Sequence, residues 1–323
     1  MTYILRKGVS RMADLKDGLQ AMGMGVGNIY YVMQTAQTAI YPQFEADYQG
    51  TYGDSSAIVH NTIQSALDAT VAERNDYVIV YPDAGDYDIT AALTMTKRNV
   101  HLICPGGLGG YGFPTNAARI HQTTDDLACI TVTADCVEIA GFFFKGDEGG
   151  NIIDLSGTRW HTVIHDNYFG IAATASSDNF GIYADGACSH FSIYGNNFTN
   201  YSPGAMSGTD NDVSAFISIA VNSSTRGLIR DNIMHTGGNT AVATAINAGG
   251  YGTFIIGNYI WEDLAFGATE AGTLTVGINT SADCMVADNR IGIVTAANAV
   301  VGGTADSSYV ENYEGSSGGT LAT

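Results

Sequence analysis

Ile164-His-Asp-Asn167-Tyr-Phe169, Ile193-Tyr-Gly-Asn196-Asn-Phe198, Ile229-Arg-Asp-Asn232-Ile-Met234, Ile255-Ile-Gly-Asn258-Tyr-Ile260 and Val286-Ala-Asp-Asn289-Arg-Ile291 are five copies of one motif, and Tyr309-Val-Glu-Asn312-Tyr-Glu314 is a decayed sixth. The steps from Asn to Asn are 29, 36, 26, 31 and 23 residues. A repeat of 20 to 50 residues is the signature of a solenoid, in which each repeat buries its apolar face only against its neighbours. A second apolar position, at Ile153, Ile182, Ile219, Ile246, Ile278 and Val301, precedes each Asn by 11 to 14 residues.

Each repeat therefore holds two or three short strands rich in Ile, Val and aromatics, punctuated by Gly, Asn, Ser and Asp. No repeat has room for a ten-residue amphipathic helix, which excludes leucine-rich and helical solenoids. The pattern predicts an all-β chain folded as a single-stranded parallel β-helix of roughly seven to nine rungs, stacked about 4.8 Å apart. The ladder residues Asn167, Asn196, Asn232, Asn258, Asn289 and Asn312 are read as structural. Asn tolerates the left-handed backbone of a tight bend, and stacked amides can bond from rung to rung.

Composition agrees. Charged residues are 14% of the 323 and Gly contributes 40, which suits stacked small side chains. The net charge of −19 argues against nucleic acid as a ligand, because phosphate binding needs clustered Lys and Arg. Four of the thirteen cations, Arg6, Lys7, Arg11 and Lys16, fall in the first sixteen residues and could dock on an acidic partner. Cys104, Cys129, Cys136, Cys188 and Cys284 show no metal spacing and read as reduced, mostly buried small hydrophobes. No signal peptide and no membrane-spanning apolar run is expected, so the chain reads as made in a cytoplasm.

Residues 1–48 are expected to form a separate docking or oligomerisation segment. Residues 49–315 form the solenoid with a cap helix at about 55–71, in which Asp54 or Ser55 serves as N-cap and Ile58, Ile63, Ala66, Leu67 and Val71 make the apolar face. Residues 316–323 read as a Gly/Ser-rich tail. Tyr77-Val-Ile-Val-Tyr81-Pro82, Gly85-Asp-Tyr87-Asp-Ile89 and Arg98-Asn-Val-His-Leu-Ile103 read as the first strands. Phe142 stands where later rungs carry Asn.

This opening, from Gly50-Thr-Tyr-Gly-Asp54 through a short helix, a strand ending in Tyr-Pro, Gly-x-Tyr, Asn-Val-x-Leu-Ile and glycines, resembles the start of the pectate-lyase-like right-handed β-helix superfamily. It is especially similar to the versions found in bacteriophage tailspikes and other virion proteins. The resemblance spans residues about 50 to 315. It implies a right-handed coil whose N-terminal helix plugs the open mouth of the stack.

The same fold hosts lyases, hydrolases, adhesins and inert structural proteins, so function must be argued from a site. The Asn-Thr-Asp, Asp-Asp, Gly-His-Gly and Arg-Ile-Lys set of a polygalacturonase-like enzyme is missing. No acidic cluster stands in phase with Arg226, Arg230 or Arg290 as a pectate lyase would require. Asp166, Asp231 and Asp288 precede ladder residues and form a potential carboxylate stripe. The loop side offers Asp178, Asp210, Asp212, Glu262, Asp263 and Glu270, with Trp261 as a platform for a sugar. Asp210-Asn-Asp212 begins like a calcium loop but lacks the Gly and closing Glu. His161, His165 and His235 read as isolated.

The expectation is a non-enzymatic virion structural protein of a bacteriophage, a capsid decoration, spike or fibre component. It would be a homotrimer or larger homo-oligomer, attached to other virion proteins through residues 1–48. The alternative is a tailspike-like depolymerase that cleaves or binds a host surface polysaccharide.

Overall fold

The computed structural model describes residues 27–34, 58–82, 85–107, 116–146, 150–171, 179–200, 213–219, 224–236, 241–262, 273–281, 283–293, 299–302, 308–310 and 313–314. The chain coils through three long sheets in turn. Val137–Ala140 lies in sheet A, Phe143–Gly146 in sheet B and Ile153–Leu155 in sheet C, and Val163–His165 then returns to sheet A. Among the described residues sheet A has 11 strands, sheet B nine and sheet C eight. Each strand pairs in parallel with its counterpart in the next coil, for example Val163–His165 with Val137–Ala140 on one side and Ser192–Tyr194 on the other. This is a parallel β-helix.

The interior is a set of in-register columns. Sheet A contributes Leu102, Ile139, Ile164, Ile193, Ile229, Ile255 and Val286. Sheet B contributes Ile120, Phe144, Phe169, Phe198, Met234, Ile260 and Ile291. All are 0 to 1% exposed. Full burial of such side chains stabilises by about 1.5–3 kcal/mol each. The rings of Phe144, Phe169 and Phe198 stack 5.1 and 4.4 Å apart, close to the strand spacing that sets them.

In sheet C the column runs Ile130, Ile153, Ile182, Ile217, Ile246, Ile278, Val300. Two positions of the expected phase therefore shift. Ile219 lies two residues beyond Ile217 on the same inward face and is equally buried, so spacing alone does not choose between them. Val301 pairs with the outward Asn279, and Val300 takes the inner place.

Ile29–Val32, inside the stretch expected to stand apart, is a strand of sheet A. It pairs with Asp76–Val80 on one side and Val59–His60 on the other. Residues 1–26 and 35–57 lie outside the described residues, and with them Asp54 and Ser55. Helix α1 is Ile63–Ala69, shorter than expected; Thr62 is its N-cap and its Oγ1 accepts from Ser65 N. Ile63, Ala66 and Leu67 are buried, while Val71 has left the helix and is 47% exposed. The helix packs on Ile29–Val32, Asp76–Val80 and Leu93–Met95 at the start of the stack. A buried clamp ties these pieces together. Asp76 accepts from Asn28 N, Val71 N and both Nε and Nη2 of Arg74, all at 2.7 Å. Burial alone would raise the Asp76 carboxyl, but the Arg74 bond and the two backbone donors outweigh it and hold it below its ordinary value.

Among the described residues no helix is long and apolar enough to cross a membrane. All five cysteines are free thiols, and all but Cys136 are buried.

Candidate functional site: an inner asparagine ladder and an outer histidine–carboxylate chain

The ladder Asn side chains turn inward. Asn167, Asn196, Asn232, Asn258 and Asn289 are 0 to 2% exposed. Each Oδ1 from Asn196 onward accepts both the backbone N–H and the amide Nδ2 of the Asn one rung earlier, at 2.9 to 3.1 Å. Each Nδ2 also donates to a sheet A carbonyl of the preceding rung, from Ile139 O to Ile255 O. Phe142 N donates to Asn167 Oδ1 and so begins the series. Asn312 lies outside the described residues.

The left-handed bend falls one residue earlier than expected. Gly141, Asp166, Gly195, Asp231, Gly257 and Asp288 have φ between 53° and 81°, and the ladder Asn residues do not. Gly and Asp alternate from rung to rung, so the carboxylates stand two rungs, about 9.6 Å, apart. Asp166 and Asp231 each lean over the Gly above. A Cβ on Gly195 would sit 3.1 Å from Asp166 Oδ1, and one on Gly257 would sit 2.9 Å from Asp231 Oδ1. Asp166 accepts from His165 and Asp231 from Arg230. The expected carboxylate stripe is thus a set of separated turn residues, two of them already engaged.

The outer face of sheet A carries the densest polar chemistry among the described residues. Tyr77, His101 and Glu138 share one outward column, and His165, Tyr194 and Arg230 the next. Glu138 is held between two imidazoles: His101 Nδ1 lies 2.5 Å from Oε2 and His165 Nε2 2.8 Å from Oε1. The far nitrogens are also occupied, His101 Nε2 by Asn75 Oδ1 at 2.7 Å and His165 Nδ1 by Asp166 Oδ2 at 2.8 Å. Tyr77 stacks on His101 at 4.3 Å and His165 on Tyr194 at 4.7 Å; Arg230 covers the other face of Tyr194 at 4.8 Å.

Hydrogen bonds from His101 and then His165 pull the Glu138 carboxyl down to about 2. Burial would lower His165, but its bonds to Glu138 and Asp166 outweigh this and raise it. Neither imidazole keeps a free nitrogen for a substrate or a metal. His165 was read as isolated because Glu138 and His101 are 27 and 64 residues away. The other two expected singletons are also stacked, His161 on His190 at 4.9 Å and His235 on Trp261 at 5.1 Å.

A second cluster lies beside α1. Among the described residues, Asp86, Asp88 and His121 are the one group of three potential ligands whose atoms fall within 4.8 Å of one another. Asp86 already faces Arg119 Nε at 2.7 Å and Lys145 Nζ at 3.9 Å, and His121 Nδ1 faces Asp88 at 2.7 Å. Two cations beside two carboxylates supply the countercharge that a divalent ion would bring, so the group is a salt-bridge network.

Of the glycan candidates from the sequence, Trp261 and Glu262 fall among the described residues. Asp210, Asp212 and Asp263, with Asp178 and Glu270, lie outside the described residues. Trp261 and Glu262 are consecutive in the strand Tyr259–Glu262 and so point to opposite faces. Glu262 is 2% exposed, opposite the buried Thr236, and is not placed to meet a sugar outside.

The two most exposed aromatics among the described residues lie elsewhere. Trp160 is 52% and Tyr251 58% exposed, at the two ends of one lateral row, Trp160–Ser189–Thr225–Tyr251. The neighbouring residues His161, His190 and Arg226 all have φ 55° and form a parallel row, with Arg226 Nη1 3.4 Å from His190 Nε2. Sequence spacing hides this ridge, because its members are 26 to 36 residues apart.

Fold and site together define a parallel β-helix whose polar side chains mostly bond to one another across rungs. No known protein family and no curated protein matches the chain. Among solved structures it is similar to ORF18 of Geobacillus virus E2, at 12% identity and a TM-score of 0.33, over 94% of this chain and 63% of that one. The chain thus spans less than two thirds of that protein's length.

Proposed function

We propose that the chain is a non-enzymatic virion structural protein of a bacteriophage, a decoration, spike or fibre component of the pectate-lyase-like β-helix lineage. The observation that carries the non-enzymatic part is the closed bonding of the outer chain. Both nitrogens of His101 and His165 and both oxygens of Glu138 are used inside the molecule, so this acid–base cluster has nothing left for a substrate. The virion assignment rests on the resemblance of residues 50–315 to phage β-helices. In this reading the chain assembles as a homotrimer or larger homo-oligomer and docks on the particle through residues 1–48. The test is to purify the particles encoded with this chain and to look for it by mass spectrometry and immunogold labelling. A fixed stoichiometry per particle is expected; a chain found only free in the lysate, or one that depolymerises host polysaccharide, refutes the reading.

A second reading, surface glycan binding without cleavage, is favoured by the Trp160–Tyr251 ridge. Two exposed aromatics about 14 Å apart along the stack, with Ser189 and Thr225 hydroxyls between them and Arg226 alongside, suit a linear acidic sugar chain. Isothermal titration with the host polysaccharide, on wild type and on Trp160→Ala with Tyr251→Ala, decides it. Binding lost in the variant supports this reading, and no binding by wild type ends it.

A further inference from the structure

We propose that the chain Asn75–His101–Glu138–His165–Asp166 is a proton-operated latch. It ties four consecutive coils of sheet A together while the His165 imidazole carries two protons and loosens when that ring loses one. Each of the four ring nitrogens faces an oxygen acceptor at 2.5 to 2.8 Å. For His165 both acceptors are carboxylates, which never donate while ionised. A neutral imidazole has one N–H and one lone pair, so a lone pair would then be aimed at a carboxylate oxygen and that link would open. At His101 the outer partner is the Asn75 amide, which can turn over and donate, so a ring with a single N–H keeps both bonds and the proton dependence falls on His165.

Charge balance points the same way. The groups facing the chain are Tyr77 from Asp76–Val80, Tyr194 from Ser192–Tyr194, and Arg230, paired with Asp231, from the coil beyond. The His165 imidazolium lies between the Glu138 and Asp166 carboxylates; without its charge the face gains one negative charge in a chain already at −19.

The sign follows from the folded-state values. His165 is raised, so its contribution is complete below its ordinary 6.5 and is lost as pH rises through the higher folded value. Glu138 is lowered to about 2, so its contribution is complete above 4.5 and is lost only as pH falls toward 2. The latch is closed from about pH 4.5 to 6.5 and opens as pH rises through the raised His165 value.

The same sheet supplies an internal control, because its later outward column is Leu228, Phe254 and Met285 and does not titrate. Amide hydrogen exchange on the full chain at pH 6.0 and 8.5, corrected for intrinsic rates, should show protection in Val100–Ile103, Val137–Ala140 and Val163–His165 falling about tenfold, the factor for one lost hydrogen bond. Leu228–Arg230 and Thr253–Ile256 should not change. Glu138→Gln should remove the difference. Equal behaviour of the two halves, or an unchanged difference in Glu138→Gln, overturns the proposal. If the variant does not fold, nitrogen NMR of the wild-type imidazoles decides: two protonated nitrogens on His165 at pH 6.0 support the latch, and a neutral ring refutes it.

Discussion

Replacing Asn232 by Ala tests the physical core of this fold, because every bond it makes crosses a rung. The substitution removes four hydrogen bonds: Asn196 N and Nδ2 to Oδ1 at 3.1 and 3.0 Å, and Nδ2 to Ile193 O and Asn258 Oδ1, both at 3.0 Å. Not all are equal. Asn196 Nδ2 keeps Ile164 O and Tyr194 O, and Asn258 Oδ1 keeps the backbone N–H of residue 232. The Asn196 backbone N–H, on a residue 1% exposed, loses its acceptor. An orphaned buried donor costs about 1–3 kcal/mol and each of the three other lost bonds about 1 kcal/mol net, so the expected loss is about 4–6 kcal/mol. Asn232→Asp should be worse at pH 7. It keeps the acceptor but sets a buried charge against Ile193 O and Asn258 Oδ1. Asn197→Ala is the control, since its Oδ1 has no protein partner and the loss should stay within about 0.5 kcal/mol. Equilibrium denaturation of the full chain measures all three. A loss below about 1 kcal/mol for Asn232→Ala, or one equalled by Asn197→Ala, would refute the ladder as a stabilising element.

Asp76→Ala should cost about 3 kcal/mol, moderated by the partial exposure of Arg74, because it strands two backbone donors and a guanidinium; a neutral result in thermal denaturation would show that the clamp is dispensable. Gly195→Asp should be less stable than Gly195→Asn by about 1 kcal/mol at low salt, because it fills the gap between Asp166 and Asp231; the difference should close in 1 M salt, and a salt-independent gap contradicts the electrostatic reading. A thiol reagent at pH 8 should modify only Cys136 of the five cysteines in the folded chain. Burial pushes Cys188 up to about 12 and Cys284 to about 11, so rapid reaction of either would mean that the coils open there.

Much of the architecture was legible because a solenoid writes its geometry into its period. The Asn motif and its apolar flanks predicted the parallel stack, the inward columns and the buried amide ladder, since a residue that must meet its own kind every rung recurs visibly. The differences from the sequence expectation are local. Thr62 rather than Asp54 or Ser55 caps α1, because several Ser, Thr and Asp residues precede the apolar run and only packing selects one. The left-handed position fell on Asp166 and its equivalents, because Asp, Asn and Gly all tolerate it and two of them stand side by side in each turn.

By itself the sequence determined the repeat, the strand class, the low charge density and the structural role of the ladder, all properties of a period. Only the tertiary structure decided which outward side chains meet. His101, Glu138 and His165 become neighbours, and Trp160, Ser189, Thr225 and Tyr251 fall into one row, through coils of unequal length. A partner 26 to 37 residues away has no fixed spacing until strand register brings it to within about 4.8 Å.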